Sequence, residues 1–127
     1  MFKNLFNSKK EESQSIAWNQ LRSIEELEKI KKFSNQKKVL IFKHSTRCGV
    51  SMSALDKLQT TWEQENAQNV ETVFLDLIAH RDVSNAIAST FGITHQSPQI
   101  LVIENEKCIF TTSHWQISFD AIRQAIS

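Results

Sequence analysis

The chain has 127 residues, 40% of them hydrophobic and 23% charged, with a formal net charge of +1. That length suits one domain and can bury a core without disulfide staples. Near-zero net charge gives no case for nucleic acid or an anionic membrane as the main partner, and no apolar run approaches the roughly 18–20 residues that span a bilayer.

Residues 1–14 are polar apart from Phe2, Leu5 and Phe6. Those three have helical spacing, so the segment reads either as a flexible tail or as a short amphipathic helix, and a single domain is expected from 15 to 127. The first ten residues lack the apolar stretch of about 7–15 residues that marks a secretory signal. A cytoplasmic protein is therefore expected, with the two cysteines, Cys48 and Cys108, kept as thiols.

Ile16–Leu21 predicts a short edge strand. Ser23-Ile24-Glu25-Glu26 then reads as a capping box, with Ser23 capping the helix and Glu26 bonding back to it. Ile24, Leu27 and Ile30 carry the helical stripe to Phe33, and Ser34-Asn35-Gln36 breaks it. Val39-Leu40-Ile41-Phe42 predicts a buried central strand. A second helix starts after Cys48 on Val50, Ala54, Leu55, Leu58 and Trp62. Val70–Leu77 predicts another buried strand, and residues 81–91 a helix that Gly92 ends.

Beyond Pro98, Ile100–Ile103 and Cys108–Phe110 predict two strands joined by the polar turn Glu104-Asn105-Glu106-Lys107. A turn this short makes them an antiparallel hairpin. Ser118–Ile126 closes the chain as a helix. The order β-α-β-α-β-α-β-β-α implies an α/β fold with a mixed central sheet and helices on both faces.

Chemistry concentrates in Lys43-His44-Ser45-Thr46-Arg47-Cys48-Gly49-Val50-Ser51. This segment joins a strand to a helix and so places Cys48 at the helix start. Unpaired N–H groups and the helix dipole there favour a thiolate, the nucleophile of disulfide exchange. Lys43, His44 and Arg47 are expected to add positive charge. Cys48-Gly49-Val50-Ser51 is C-x-x-C with serine in the second place. A hydroxyl cannot release a mixed disulfide, so a reacting Cys48 needs a thiol from another molecule. The bland alternative is an inert buried thiol.

Ser97-Pro98 before a strand suggests a cis peptide bond beside the sulfur, presenting the Ser97 backbone to an extended substrate; the alternative is an ordinary trans proline. Cys108 reads as a small core residue. The His114-Trp115 loop can approach the Cys48 end of the sheet. No zinc-type spacing links the histidines and cysteines.

Three segments together resemble the monothiol bacilliredoxin family, also called bacillithiol system redox-active proteins: Ser45–Ser51, Phe91-Gly92-Ile93 with His95–Gln99, and Ser113–Ser118. The resemblance runs from about Trp18 to the C-terminus. It implies a thioredoxin-like fold and a thiol–disulfide oxidoreductase that removes a low-molecular-weight thiol, bacillithiol, from protein mixed disulfides. Cys48 is then the expected catalytic residue. Thr46, Arg47, Gly49, Val50, Ser51, Ser97, Pro98 and His114 are the expected substrate-binding residues, and Ser51 is expected to donate a hydrogen bond to the thiolate. No metal and no tightly bound cofactor are expected, with the small thiol as co-substrate and thiol-capped proteins as partners.

Family members commonly carry proline where this chain has Gly49. Cys-Gly-Val-Ser is also similar to the Cys-Gly-Phe-Ser of monothiol glutaredoxins, which hold iron–sulfur clusters, so a cluster carrier is the alternative reading. Those glutaredoxins usually have Thr-Val-Pro and a Gly-Gly pair. Here Gln96-Ser97-Pro98 stands in the first place, and Gly49 and Gly92 are the only glycines.

Overall fold

A computed structural model describes residues 16–127. The expectations for residues 1–14 lie outside the described residues. In chain order the elements are β1 (Asn19–Gln20), α1 (Ile24–Phe33), β2 (Lys38–His44), α2 (Gly49–Thr61), β3 (Val70–Asp76), α3 (Arg81–Phe91), β4 (Gln99–Glu104), β5 (Lys107–Ser113) and α4 (Phe119–Ile126). Two single 3₁₀ turns, Gln64–Asn66 and His114–Gln116, lie between them.

Among the described residues, five strands form one sheet in the order β1-β3-β2-β4-β5. β1, β3 and β2 run parallel, while β4 pairs antiparallel with both β2 and β5. Strand alternation splits the core in two. Leu40, Phe42, Ile100 and Val102 face one way and bury Ala54 and Leu58 of α2 and Ile122 and Ile126 of α4. Val39, Ile41, Val73, Leu75, Leu101 and Ile103 face the other way, against Leu27 and Ile30 of α1 and Val83 and Ile87 of α3. Both faces of the central strands are therefore covered, which accounts for their unbroken apolar runs.

The edge strand is shorter than the expected Ile16–Leu21. The Trp18 N–H bonds back to the Ile16 carbonyl at 3.1 Å, and the Ala17 carbonyl accepts from Thr72 Oγ1 at 2.9 Å. Local and side-chain bonds thus replace the ladder there, and strand pairing begins at Asn19. The capping box is also displaced. Ser23 Oγ accepts from the Glu26 N–H, but the Glu26 carboxylate accepts from the Arg22 N–H at 2.8 Å, not from Ser23.

Gly92 ends α3 in the left-handed conformation, as expected. Trp62 lies just past α2 and is buried against Phe119, ring centroids 4.9 Å apart. The hairpin loop is tighter than the expected four-residue turn. Only Asn105 and Glu106, both at positive φ, separate β4 from β5. Their N–H groups donate to the carbonyl and hydroxyl of buried Ser34, which pins the hairpin to the end of α1.

Candidate functional site

β2 delivers the chain to one end of the sheet at His44. The loop Ser45-Thr46-Arg47 then turns it into α2, with half-buried Cys48 as the N-cap. The Cys48 N–H donates to the Ser45 carbonyl at 3.3 Å, closing the turn. The Cys48 carbonyl accepts from the Met52 N–H at 3.0 Å and opens the helix. Its side chain makes no capping hydrogen bond. The sulfur therefore sits where a helix presents unpaired N–H groups and its positive dipole end.

Three more expected residues converge on the same end. The register Lys43↔Gln99↔Ser113 aligns the end of β2 with the start of β4 and the end of β5. The Ser97-Pro98 bond is cis, and Pro98 is buried. The Pro98 carbonyl accepts from the His114 N–H at 3.1 Å. The 3₁₀ turn beginning at His114 packs on α2. Thr46, Arg47, Gly49 and His114 are exposed, and Val50 is half-buried. Trp115, 69% exposed, and Met52 add apolar surface to this 3₁₀ turn and to the first turns of α2.

Ser51 behaves differently from the expectation. It is fully buried, and its hydroxyl is held by the chain beneath the loop. Ser51 Oγ accepts from the Ser45 N–H at 3.0 Å and lies 2.7 Å from His44 Nδ1. The expected bond to the Cys48 sulfur is absent because these two partners already orient the hydroxyl. Ser45 Oγ in turn accepts from the Arg47 N–H at 3.3 Å. Ser51 thus holds the reactive loop in place from below.

The expected positive charge around Cys48 is also reduced. His44 is buried among Phe42 and Phe74, ring centroids 5.7 and 5.3 Å away. Burial pushes its imidazole below the ordinary histidine value, and Asp76 opposes that shift. Lys43, one residue earlier on the strand, points to the other face. It is fully buried, with Nζ 2.8 Å from His95 Nδ1, and burial lowers it to about 8. Of the three cations, Arg47 remains at the surface beside Cys48. The His44–Ser51 contact was legible only as two polar residues seven apart. The strand period of two was the available signal that His44 and Lys43 must diverge.

Cys108 is remote from this site. It pairs with Ile103 at the hairpin end of β5 and packs on the α1/α3 face. Burial raises its thiol, and its Sγ donates to the Phe110 carbonyl at 3.3 Å. Among the described residues, no three His, Cys, Asp or Glu side chains are grouped to hold a metal ion, and no helix is long and apolar enough to cross a membrane.

Comparison with known proteins agrees with this arrangement. The family model described as monothiol bacilliredoxin BrxC matches residues 19–122, and the chain belongs to that family. A solved structure described as a candidate oxidoreductase with a thioredoxin fold is 25% identical, covers 90% of this chain and 95% of its own, and superposes with a TM-score of 0.73. Thioredoxin from Malassezia sympodialis is 13% identical, with 92% and 96% covered and a TM-score of 0.73. Thioredoxin from Trypanosoma brucei brucei is 11% identical, with 91% and 93% covered and a TM-score of 0.67. The fold is therefore the thioredoxin fold, and the family places the chain in thiol redox chemistry.

Proposed function

From that family membership, we propose that this chain removes bacillithiol, or a similar small thiol, from protein mixed disulfides by exchange at Cys48. The Cys48 thiolate attacks the sulfur of the cap. The protein–cap S–S bond breaks as the Cys48–cap S–S bond forms, and the client leaves as a thiolate that takes up a proton. A second small-molecule thiolate then attacks the cap sulfur. It departs as a symmetric disulfide, and Cys48 is regenerated.

One observation carries the monothiol character of this cycle. Ser51 occupies the second position of the motif, while Cys108 lies on the opposite face and at the opposite end of the sheet. No second thiol of the described chain can reach the Cys48 disulfide without dismantling the sheet. Thr46, Arg47, Gly49, Val50, the Ser97-Pro98 bend and His114 frame the opening through which the capped client approaches. The co-substrate is the small thiol itself, and the partners are capped proteins of the cytoplasm.

The test is a client protein carrying a bacillithiol cap, incubated with wild-type chain or with Cys48→Ser. The expected result is loss of the cap from the client and a matching mass gain on Cys48, with no reaction by the variant. Undiminished cap removal by Cys48→Ser would sink the proposal. Equal rates with glutathione-capped and bacillithiol-capped clients would remove the bacillithiol specificity and leave the exchange.

A further inference from the structure

Beneath Cys48 lie two buried polar side chains that the exchange reaction as written does not use, Ser51 and His44. The Ser45 N–H can only donate, so at 3.0 Å it occupies one lone pair of Ser51 Oγ. The Ser51 proton is then free for His44 Nδ1 at 2.7 Å. With the hydroxyl donating, which is the direction the relay takes, Nδ1 is the acceptor and the ring proton sits on Nε2. A hydroxyl has two lone pairs, so one remains on Ser51 Oγ.

Cys48 is the residue placed to use it. Cys48 is the N-cap of α2, which makes Ser51 the third helical residue. Side chains three residues apart at the start of a helix are neighbours on one face, so Cys48 and Ser51 share the inner edge of the first turn of α2. The Cys48 side chain has no competing cap bond in the resting state. A rotation about its Cα–Cβ bond brings the S–H to the open lone pair.

The far end of the chain of groups is also provided for. In the parallel register His44 stands directly beside Asp76 of β3, on the same face of the sheet as Phe42 and Phe74. Asp76, whose Oδ1 accepts from the Ile78 and Ala79 N–H groups, acts on His44 and favours the imidazolium; the Phe42 and Phe74 rings and the Ser51 hydroxyl also lie against it.

We propose that Ser51 and His44 form a proton relay for Cys48. The Cys48 S–H proton passes to Ser51 Oγ as the Ser51 proton passes to His44 Nδ1. The thiolate then attacks, and when the second small thiolate later displaces the cap, the path runs in reverse and reprotonates Cys48 Sγ. No proton is gained or lost over the cycle. This deepens the exchange reading above, since it assigns how the Cys48 thiolate of that reaction is formed.

The test uses alkylation of Cys48 by iodoacetamide, followed by peptide mass across a pH series in the full chain. Alkylation needs only the thiolate, so it can succeed or fail independently of any bacillithiol assay. Ser51→Ala and His44→Phe are each expected to slow alkylation about tenfold at neutral pH, with the gap closing in alkali, where hydroxide takes the proton directly. The double variant is expected to be no slower than either single one, because both act through one path. Slowing that is constant with pH, or that multiplies in the double variant, would overturn the relay and leave a packing role. The wild-type protein supplies a check that needs no variant. Nitrogen NMR of His44 at neutral pH should show Nδ1 unprotonated, and a proton on Nδ1 would overturn the proposal.

Discussion

Lys43 and His44 are neighbours on one strand, both buried bases with lowered proton affinity, and they serve opposite faces of the sheet. His44 faces α2 and is bonded to the first turn that carries Cys48. Lys43 faces α1 and α3 and is bonded to His95, in the segment that leads to Pro98. The β-strand period of two makes this division unavoidable. Two adjacent bases in a sequence can therefore belong to different physical systems, one under the nucleophile and one under the loop beside it.

Stability against pH should separate the two residues most strongly. Lys43 is lowered from 10.5 to about 8 by burial alone. The unfolded chain then binds that proton more tightly than the folded one, so stability should rise as pH goes from about 8 toward 10.5. Lys43→Met should abolish that rise. It should also raise the urea midpoint at pH 7, by a free energy of about 1–3 kcal/mol, because a buried cation bonded to a neutral imidazole and not to a carboxylate is replaced by apolar atoms. His95 is exposed and can pair with water once Lys43 is gone. A lower midpoint, or a persisting alkaline rise, would show that Lys43 is not the group responsible.

His44 should act at the other end of the pH scale. Burial lowers it, so the folded chain must pay to charge it, and stability should fall as pH drops below 6.5. His95 shifts the same way through burial, Lys43 and Arg81, so it contributes to the same fall. His44→Phe should make the acid-side loss shallower in urea titrations between pH 7 and 5. An unchanged slope would assign the loss to His95 or to carboxylates.

Reactivity separates the same two residues by a smaller margin. Lys43→Met should leave Cys48 alkylation at pH 7 within about twofold of wild type, an effect below about 0.5 kcal/mol, as expected for a site with no shared partners. A tenfold loss would mean that the two faces are coupled through β2.

Much of this was legible beforehand, for reasons that also explain the failures. Apolar runs such as Val39–Phe42 and helical stripes such as Leu27 and Ile30 report burial directly, so the sequence of strands and helices along the chain and the position of Cys48 at a helix start followed from them. Gly92 was readable because a left-handed helix end favours glycine. Side-chain partners were not readable, because they depend on which face each residue takes after the sheet forms. Ser51 looked like a neighbour of the sulfur, and the fold gave its hydroxyl to Ser45 and His44. Lys43 looked like a cation near Cys48, and strand alternation turned it away. Glu26 looked like half of a capping box, and its carboxylate chose the Arg22 N–H one residue earlier.

Gly49 offers the smallest predicted effect and a direct test of how tightly the first turn of α2 is specified. Its φ is not in the left-handed range, and a Cβ there would meet nothing within 4 Å. As the first helical residue it carries an N–H that needs no intrahelical partner, a place where proline is favoured. Cys48 before it has φ −120° and ψ 120°, the extended conformation that a following proline requires. Gly49→Pro should therefore stabilise the fold by about 0.4–1 kcal/mol by restricting the unfolded chain, read as a higher urea midpoint at an unchanged slope. A lower midpoint would mean that the Gly49 N–H or its backbone freedom is in use. The first turn of α2 would then be committed on its outer side as firmly as Ser51 and His44 commit it from within.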